Sequence, residues 1–410
     1  MQERIKELRA DILKNRFNPR LIRYMDWPLL LLVLGISVFG VISIFAATAS
    51  ATDHEITGIS NIIAAHPTRY ATLQFLWMLA GLVAMSAMCF FNYHLFGKYS
   101  DLIYWANIAI LLAVLTVEAG RGGMTAFFQW GSGGQRGFQP SEFGKVAMII
   151  ALSSLFSKRK KPIKTVKELI PVTVYVFIPL ILVILQPDFG TALVYIAIFA
   201  VLLWVSGTDL KLIAGVLAVG VCMLVPIWYY MNASSDSFRL TRILMWLHPE
   251  DYADDAMQVI NSQIAIGSGG VTGKGLVSVG SFASLGFIPD DHTDFCFAVV
   301  CEAFGFLGAC ALIVAFMLLL GRLIWHSFRT EDRFGAYIIA GVMAMFLFHI
   351  MENICMIIGL LPVTGIPLPF VSYGGSNYVT NMLSIGLVLN VVMNTRLNRK
   401  LGDTQYTRRL

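Results

Sequence analysis

Apolar runs close to twenty residues long, parted by short polar breaks, recur from position 27 to position 394. Each suits a hydrocarbon core of roughly 30 Å. Helices satisfy their own backbone in such a core, so the pattern predicts an all-α, polytopic membrane protein of about ten transmembrane helices. The expected spans are 27–47, 71–91, 102–117, 139–157, 169–185, 191–206, 210–230, 295–320, 335–361 and 376–394. Residues 1–26 read as an amphipathic cytoplasmic segment, 27–394 as the membrane domain, and 395–410 as a basic cytoplasmic tail. The longest polar interval, 232–294, separates the seventh and eighth spans and predicts a large extracellular loop.

The fourth span breaks the pattern. Its strongly apolar part, 146–157, is too short to cross alone, about 18 Å of helix. The span must therefore include Gln139, Pro140, Ser141, Glu142 and Lys145. Pro140 suits a first helical turn. Glu142 and Lys145 then share one face three residues apart. Charges at this depth are costly and generally line a pathway or site.

Composition agrees with the periodicity: 57% of residues are hydrophobic and 13% charged, too apolar for a soluble surface. With the N-terminus inside, most of the 30 Lys and Arg fall on one side. That asymmetry predicts two cytoplasmic termini and an external acidic loop. The net charge of +5 is thus a statement about topology and offers nothing to nucleic acid. No cleavable leader is expected ahead of the first span. The six cysteines lie in apolar runs without a CxxC pair, which predicts neither a disulfide framework nor a zinc site.

Several polar groups are candidates for chemistry. Ser268 to Gly275 imitates a phosphate loop but lacks its first glycine and its Ser or Thr after Lys274, so a flexible or tight-turning loop is expected. Asp290, Asp291 and Asp294 close the long loop, and Asp294 directly precedes the apolar run from Phe295. A carboxylate at the mouth of a span is well placed to act as a general base. Glu302 lies two turns further on and reads equally as a buried, neutral, hydrogen-bonded acid or as a functional one. His349, Glu352 and Asn353 share a helix face without forming HExxH, a pattern suited to interhelical hydrogen bonds.

Five stretches together resemble a known family. They are Gln139-Pro140-Ser141-Glu142 with Lys145; Gln186-Pro187-Asp188-Phe189-Gly190-Thr191; Ala265 to Gly270 with Gly273-Lys274-Gly275; Pro289 to Phe295; and Pro362 to Phe370 followed by Ser372-Tyr373-Gly374-Gly375-Ser376. In this order they are similar to the shape, elongation, division and sporulation (SEDS) family. Thr364 to Phe370 looks like the rod-shape members rather than the division members. The chain departs from the family at Phe127-Phe128-Gln129-Trp130, which lacks an arginine, at Arg136, which is out of register, and at Asn377, where a second serine is common.

The resemblance implies a peptidoglycan glycosyltransferase of the bacterial cytoplasmic membrane that polymerises lipid II onto a growing glycan strand at the outer face. It implies Asp294 as the catalytic residue and Lys145, Glu142, Gln139, Ser141, His292 and Ser372 as substrate-binding residues. A class B penicillin-binding protein and other elongation-complex membrane proteins are the implied partners. No cofactor is required, although Mg²⁺ or Mn²⁺ would suit the diphosphate. A lipid-precursor transporter and a non-catalytic scaffold remain open alternatives. The topology has its own test. A cysteine introduced by Ser235→Cys should react with a membrane-impermeant thiol reagent on intact cells, and one introduced by Asn398→Cys should not. External labelling at position 398 would overturn the assignment.

Overall fold

The computed structural model describes residues 19–48, 69–116, 127–130, 136–216, 218, 220, 222, 238–276, 278, 280–289 and 291–406. Most of the N-terminal segment, the loop after the first span, much of the seventh span, Asp290 and the last four residues lie outside them. After a 3-10 turn at Pro19–Tyr24, the membrane helices are α1 (Trp27–Thr48), α2 (Arg69–Phe90), α4 (Ser100–Leu115), α5 (Pro140–Lys158), α6 (Val166–Leu185) and α7 (Phe189–Val205). They continue as α10 (Cys296–Arg329), α11 (Arg333–Ile357) and α12 (Gly375–Tyr406). The short α3 (Tyr93–Lys98) links α2 to α4. Every expected span except the seventh thus coincides with a described helix, and residues 210–216 are helical where the seventh begins. Among the described residues, six helices (α1, α2, α6, α10, α11 and α12) are long and apolar enough to cross a membrane, and α4 and α7 are shorter apolar helices. The chain is an integral, all-α membrane protein.

Helix α5 lies at the centre, against α4, α7, α11 and α12. It is buried along almost its whole length, including both of its early charges. Gly144 permits the closest approach: a Cβ there would sit 2.1 Å from the Tyr195 hydroxyl of α7. Helix α12 packs most extensively on α2, and α10 lies between α1 and α11.

The polar intervals hold more structure than their composition suggests. The glycine-rich stretch before α5 contains a small hairpin, β1 (Phe128–Trp130) paired antiparallel with β2 (Arg136–Phe138). Phe138 stacks on Phe143 with ring centres 4.9 Å apart, so the hairpin rests on the start of α5. The long loop carries α8 (Phe238–Leu247) and α9 (Ala253–Ser268). In α8, Leu240, Ile243, Leu244 and Leu247 recur at helical spacing. That amphipathic period is hidden when the interval is read by average polarity.

The eighth span is also not one continuous helix. Helix α10 breaks at Gly305, with φ 67° and ψ −166°. The glycine-rich segment after α9 docks into the break. The amides of Phe306 and Leu307 donate to the carbonyls of Gly270 (2.9 Å) and Val271 (3.1 Å). In return, the amides of Lys274 and Gly275 donate to those of Glu302 (2.9 Å) and Ala303 (3.0 Å). Glu302 completes the joint, accepting from Lys274 Nζ at 2.7 Å and from the amide of Phe282 at 2.8 Å. Of the flexible and tight-turning readings of residues 268–275 the second holds, and Glu302 is buried and hydrogen-bonded but ion-paired with Lys274 rather than neutral.

At the opposite end of α10, Asp26 is fully buried. Its carboxylate accepts from Arg322 Nε at 3.0 Å and Nη2 at 2.7 Å. It also meets His326 and lies 3.5 Å from Arg396 of α12. Burial works against its charge, but His326 and Arg322 outweigh burial and hold the carboxyl well below its ordinary range. A depressed carboxyl pKa contributes stability above the unfolded-state value and loses it as pH falls, so this clamp is intact at neutral pH.

The docked loop generates a prediction. Gly273 has φ +83°, and a Cβ there would lie 2.3 Å from the Ala303 carbonyl. Gly273→Ala should destabilise the protein by about 1–3 kcal/mol through backbone strain, lowering the unfolding temperature and exposing residues 268–283 to protease. Gly267→Ala, at a helical position with open space, should leave both measurements unchanged.

Candidate active site

The fourth-span motif does what its spacing predicts. Pro140 occupies the first turn of α5 after an extended Gln139. Lys145 Nζ lies 2.7 Å from Glu142 Oε1 and 3.0 Å from His349 Nε2 on α11. Asn377 Nδ2 of α12 donates to the other Glu142 oxygen at 3.0 Å. Both charges are nearly inaccessible, at 3% exposure for Glu142 and 1% for Lys145. Such burial is sustainable because each charge is paired and hydrogen-bonded. Lysine is only a donor, so His349 Nε2 must accept, and Nδ1–H then faces the Pro367 carbonyl at 3.4 Å.

The second motif joins the first. Asp188 Oδ2 accepts from Gln139 Nε2 at 2.8 Å and from the Ser141 hydroxyl at 2.9 Å. Its other oxygen caps α7 through the Thr191 amide at 3.1 Å. The Gln139 amide in turn donates to the Ser376 hydroxyl at 3.1 Å. Gln139 and Ser141 thus spend these polar atoms inside the protein and fix the entry of α5.

The irregular segment 362–374 lies over this cluster. Leu368, Phe370 and Val371 are fully buried, and Phe370 adopts φ 65°. Side chains supply the hydrogen bonds that a helix would otherwise make. Asn353 Nδ2, one turn beyond His349 on α11, donates to the Ile366 carbonyl at 2.7 Å and to the Asp294 carbonyl at 2.7 Å. The Ser372 hydroxyl accepts from the Leu368 amide at 2.9 Å, which places Ser372 as a turn-closing residue. Glu352 faces Thr364 and Lys145, and its buried Oε2 has no hydrogen-bond partner.

Asp294 sits at the start of α10, half-buried. Gly365 lies against its carboxylate: a Cβ on Gly365 would be 3.3 Å from Asp294 Oδ2. His292 lies among the rings of Tyr70 and Tyr373, at 4.3 and 5.7 Å between centres, and its Nδ1 is 3.2 Å from Asp291 Oδ1. The Tyr373 amide donates to the His292 carbonyl at 2.8 Å, which ties this motif to the 362–376 motif. Asp291 is buried rather than solvated. One turn of α11, about 6 Å of rise, therefore separates the residue gripping Asp294 from the residue gripping Lys145.

Sequence reasoning missed Arg242 on α8. Its Nη1 donates to the Val363 carbonyl at 3.4 Å, two residues from the glycine that abuts Asp294. Burial draws the guanidinium pKa down, and the Asp294 carboxylate pulls it back up. The available signal was positional: Arg242 is one of the few basic residues assigned to the outer side, an exception to the charge rule. Among the described residues, three candidate metal ligands also converge at His248, Glu250 and Asp251. All three are exposed and follow α8 in the loop.

Comparison with known proteins explains why these motifs converge. Residues 27–397 match the cell cycle protein family of FtsW, RodA and SpoVE. The chain belongs to that family, the SEDS proteins. It is 34% identical over 313 residues to peptidoglycan glycosyltransferase MrdB of Escherichia coli K12, covering 76% of this chain and 82% of the relative. It is 30% identical to stage V sporulation protein E of Bacillus subtilis, covering 89% and 96%. A solved structure described as "Structural coordination of polymerization and crosslinking by a peptidoglycan synthase complex" superposes with TM-score 0.72 at 28% identity, covering 90% of this chain and 98% of that one. The Thermus thermophilus rod shape determining protein RodA shares the fold, with TM-score 0.65 at 24% identity over 90% and 97% of the two chains. In this SEDS chain Asn377 holds Glu142.

The buried pair has a measurable consequence. Lys145→Ala removes the cation that Glu142 pairs with inside the protein, at a cost of about 3–5 kcal/mol. Glu142→Gln with Lys145→Met removes both charges and should restore most of that stability. Thermal unfolding of the purified variants checks this, and equal destabilisation by the single and double changes would show that the charges are not coupled.

Proposed function

We propose that this SEDS protein is a peptidoglycan glycosyltransferase that polymerises lipid II into glycan strands during cell elongation. The observation that carries the reading is the placement of Asp294. It is a half-buried carboxylate at the mouth of α10, its carbonyl is gripped by Asn353, and it lies in the field of Arg242. The names of the relatives supply the reaction class, and the rod-shape assignment follows the Thr364 to Phe370 motif.

In this mechanism the sugar 4-hydroxyl of one lipid II attacks the anomeric carbon of the growing chain. Asp294 takes the hydroxyl proton as general base. A new C–O bond forms as the bond to the polyprenyl diphosphate breaks, with inversion at that carbon. Lys145 uses two of its three N–H groups within the protein, and the third offers positive charge to the leaving diphosphate. Glu142 holds that lysine in place, and His292 lines the approach to Asp294. Gln139, Ser141 and Ser372 act as positioning residues. A divalent cation arriving with the diphosphate would neutralise part of its charge. Asp294 by itself does not form a ligand set, and no step is assigned to a metal.

The active face is the outer face of the bacterial cytoplasmic membrane, with both termini inside. The charge asymmetry supports this orientation. A class B penicillin-binding protein is the proposed crosslinking partner, alongside other elongation-complex membrane proteins. The resemblance to a structure of a peptidoglycan synthase complex supports that partnership.

Purified protein supplied with labelled lipid II tests the reaction. Asp294→Asn should lower polymer formation by roughly 10²–10⁴-fold, the range for a lost general base, while lipid II binding persists. Asp291→Asn should do much less. Near-normal polymer from Asp294→Asn would remove the general base. Translocation in vesicles without polymer would favour the transporter reading, and neither activity would favour a scaffold.

A further inference from the structure

The end of α10 opposite Asp294 carries a second concentration of charge. A cavity of about 70 Å³ lies between the ends of α10 and α12, lined by Trp325, His326, Arg329, Thr330, Arg396 and Arg399, among others. The space is small, and its wall is mostly the apolar stems of these side chains. Among the described residues the basic groups here outnumber the acids that face them. Asp26 takes up Arg322, His326 and Arg396. Among the described residues Arg399 meets one carboxylate, Glu331, at 3.6 Å and 75% exposed. Arg329 has no carboxylate in ion-pair range among the described residues, and its guanidinium lies 4.3 Å from the Trp325 ring centre. Arg399 Nη2 reaches back to the Arg329 carbonyl at 3.5 Å, so the two arginines are tied together at the rim.

The same turns of α10 present apolar surface. Phe328 is 88% exposed, and Ile324 and Trp325 are also exposed. Tryptophan beside arginine is the combination favoured at a membrane interface. Arginine presents an apolar stem along its length and charge at its tip. A wall of this kind complements a molecule with an anionic head and an acyl tail, and a free anion would leave the apolar part uncovered. Basic pockets between spanning helices are suited to anionic headgroups.

We propose that the rim of this cavity binds the phosphate group of an anionic membrane lipid, with Arg329 and Arg399 supplying the charge and Trp325 and Phe328 flanking the acyl chain. The site lies on the face opposite the proposed reaction. It fastens the ends of α10 and α12 together beside the Asp26 clamp, and it is separate from the lipid-linked substrate.

Full-length protein in non-ionic detergent tests this, with bound phosphatidylglycerol, phosphatidylcholine or inorganic phosphate counted by native mass spectrometry. The protein should retain phosphatidylglycerol and not phosphatidylcholine. Arg329→Gln with Arg399→Gln should bind about thirtyfold more weakly, the loss expected for two basic groups beside an anionic headgroup. Lys211→Gln with Arg333→Gln removes equal charge from the same face outside the cavity and should bind normally. If the double cavity variant does not fold, Arg399→Gln alone, at a largely exposed position, should still weaken binding about fivefold. Equal loss in the Lys211 and Arg333 control, unchanged binding in the cavity variants, or retention of phosphatidylcholine would overturn the site. Inorganic phosphate bound as tightly as the lipid would overturn the lipid assignment.

Discussion

Buried backbone outside a helix must find its hydrogen bonds in the surrounding protein, because lipid and packed side chains offer none. Residues 362–374 are such a segment, and much of the site depends on how they are satisfied. The amide of Asn353 bridges the Ile366 and Asp294 carbonyls. Through that one nitrogen, α11 fixes the segment and the start of α10 together. His349, four residues earlier, faces Pro367 and Lys145 in the same way. One face of α11 therefore sets the relation between the carboxylate at the surface and the ammonium inside.

The buried charges obey a related constraint. Glu142 with Lys145, Glu302 with Lys274, and Asp26 with Arg322 each place a nearly inaccessible carboxylate against a cation. Removing either member would strand a charge, so each pair holds its neighbours in one arrangement. The Glu302 pair fastens the loop into the break of α10, and the Asp26 pair fastens α10 to α1 and α12. The Glu142 pair differs because its lysine keeps a free donor beside Glu352, whose Oε2 is itself unpartnered. Unspent hydrogen-bonding capacity beside a buried charge is where a ligand would gain the most.

The spans were legible in the sequence because hydrocarbon imposes length and apolarity on each segment independently of its neighbours. The early charges of α5 were legible for the same reason: the apolar part of that segment is too short by itself. Composition and charge asymmetry likewise determined the membrane class and the expected orientation. The helices of the long loop were not read, because a polar average conceals an amphipathic period that appears only when Leu240, Ile243, Leu244 and Leu247 are placed on one face.

Tertiary structure decided what sequence spacing cannot encode. The break at Gly305 depends on residues 270–275 arriving from elsewhere in the chain, since a glycine in an apolar run is by itself compatible with an unbroken helix. Glu302 was open between two roles until Lys274 and the Phe282 amide were seen to consume it. Gln139 and Asp188 are far apart in sequence, and only folding makes them partners. Arg242 belongs with Asp294 because α8 lies against residue 363. Hydropathy is a local property and can be read along the chain, whereas the pairing of polar groups is a property of distance in space and is fixed only when the helices pack.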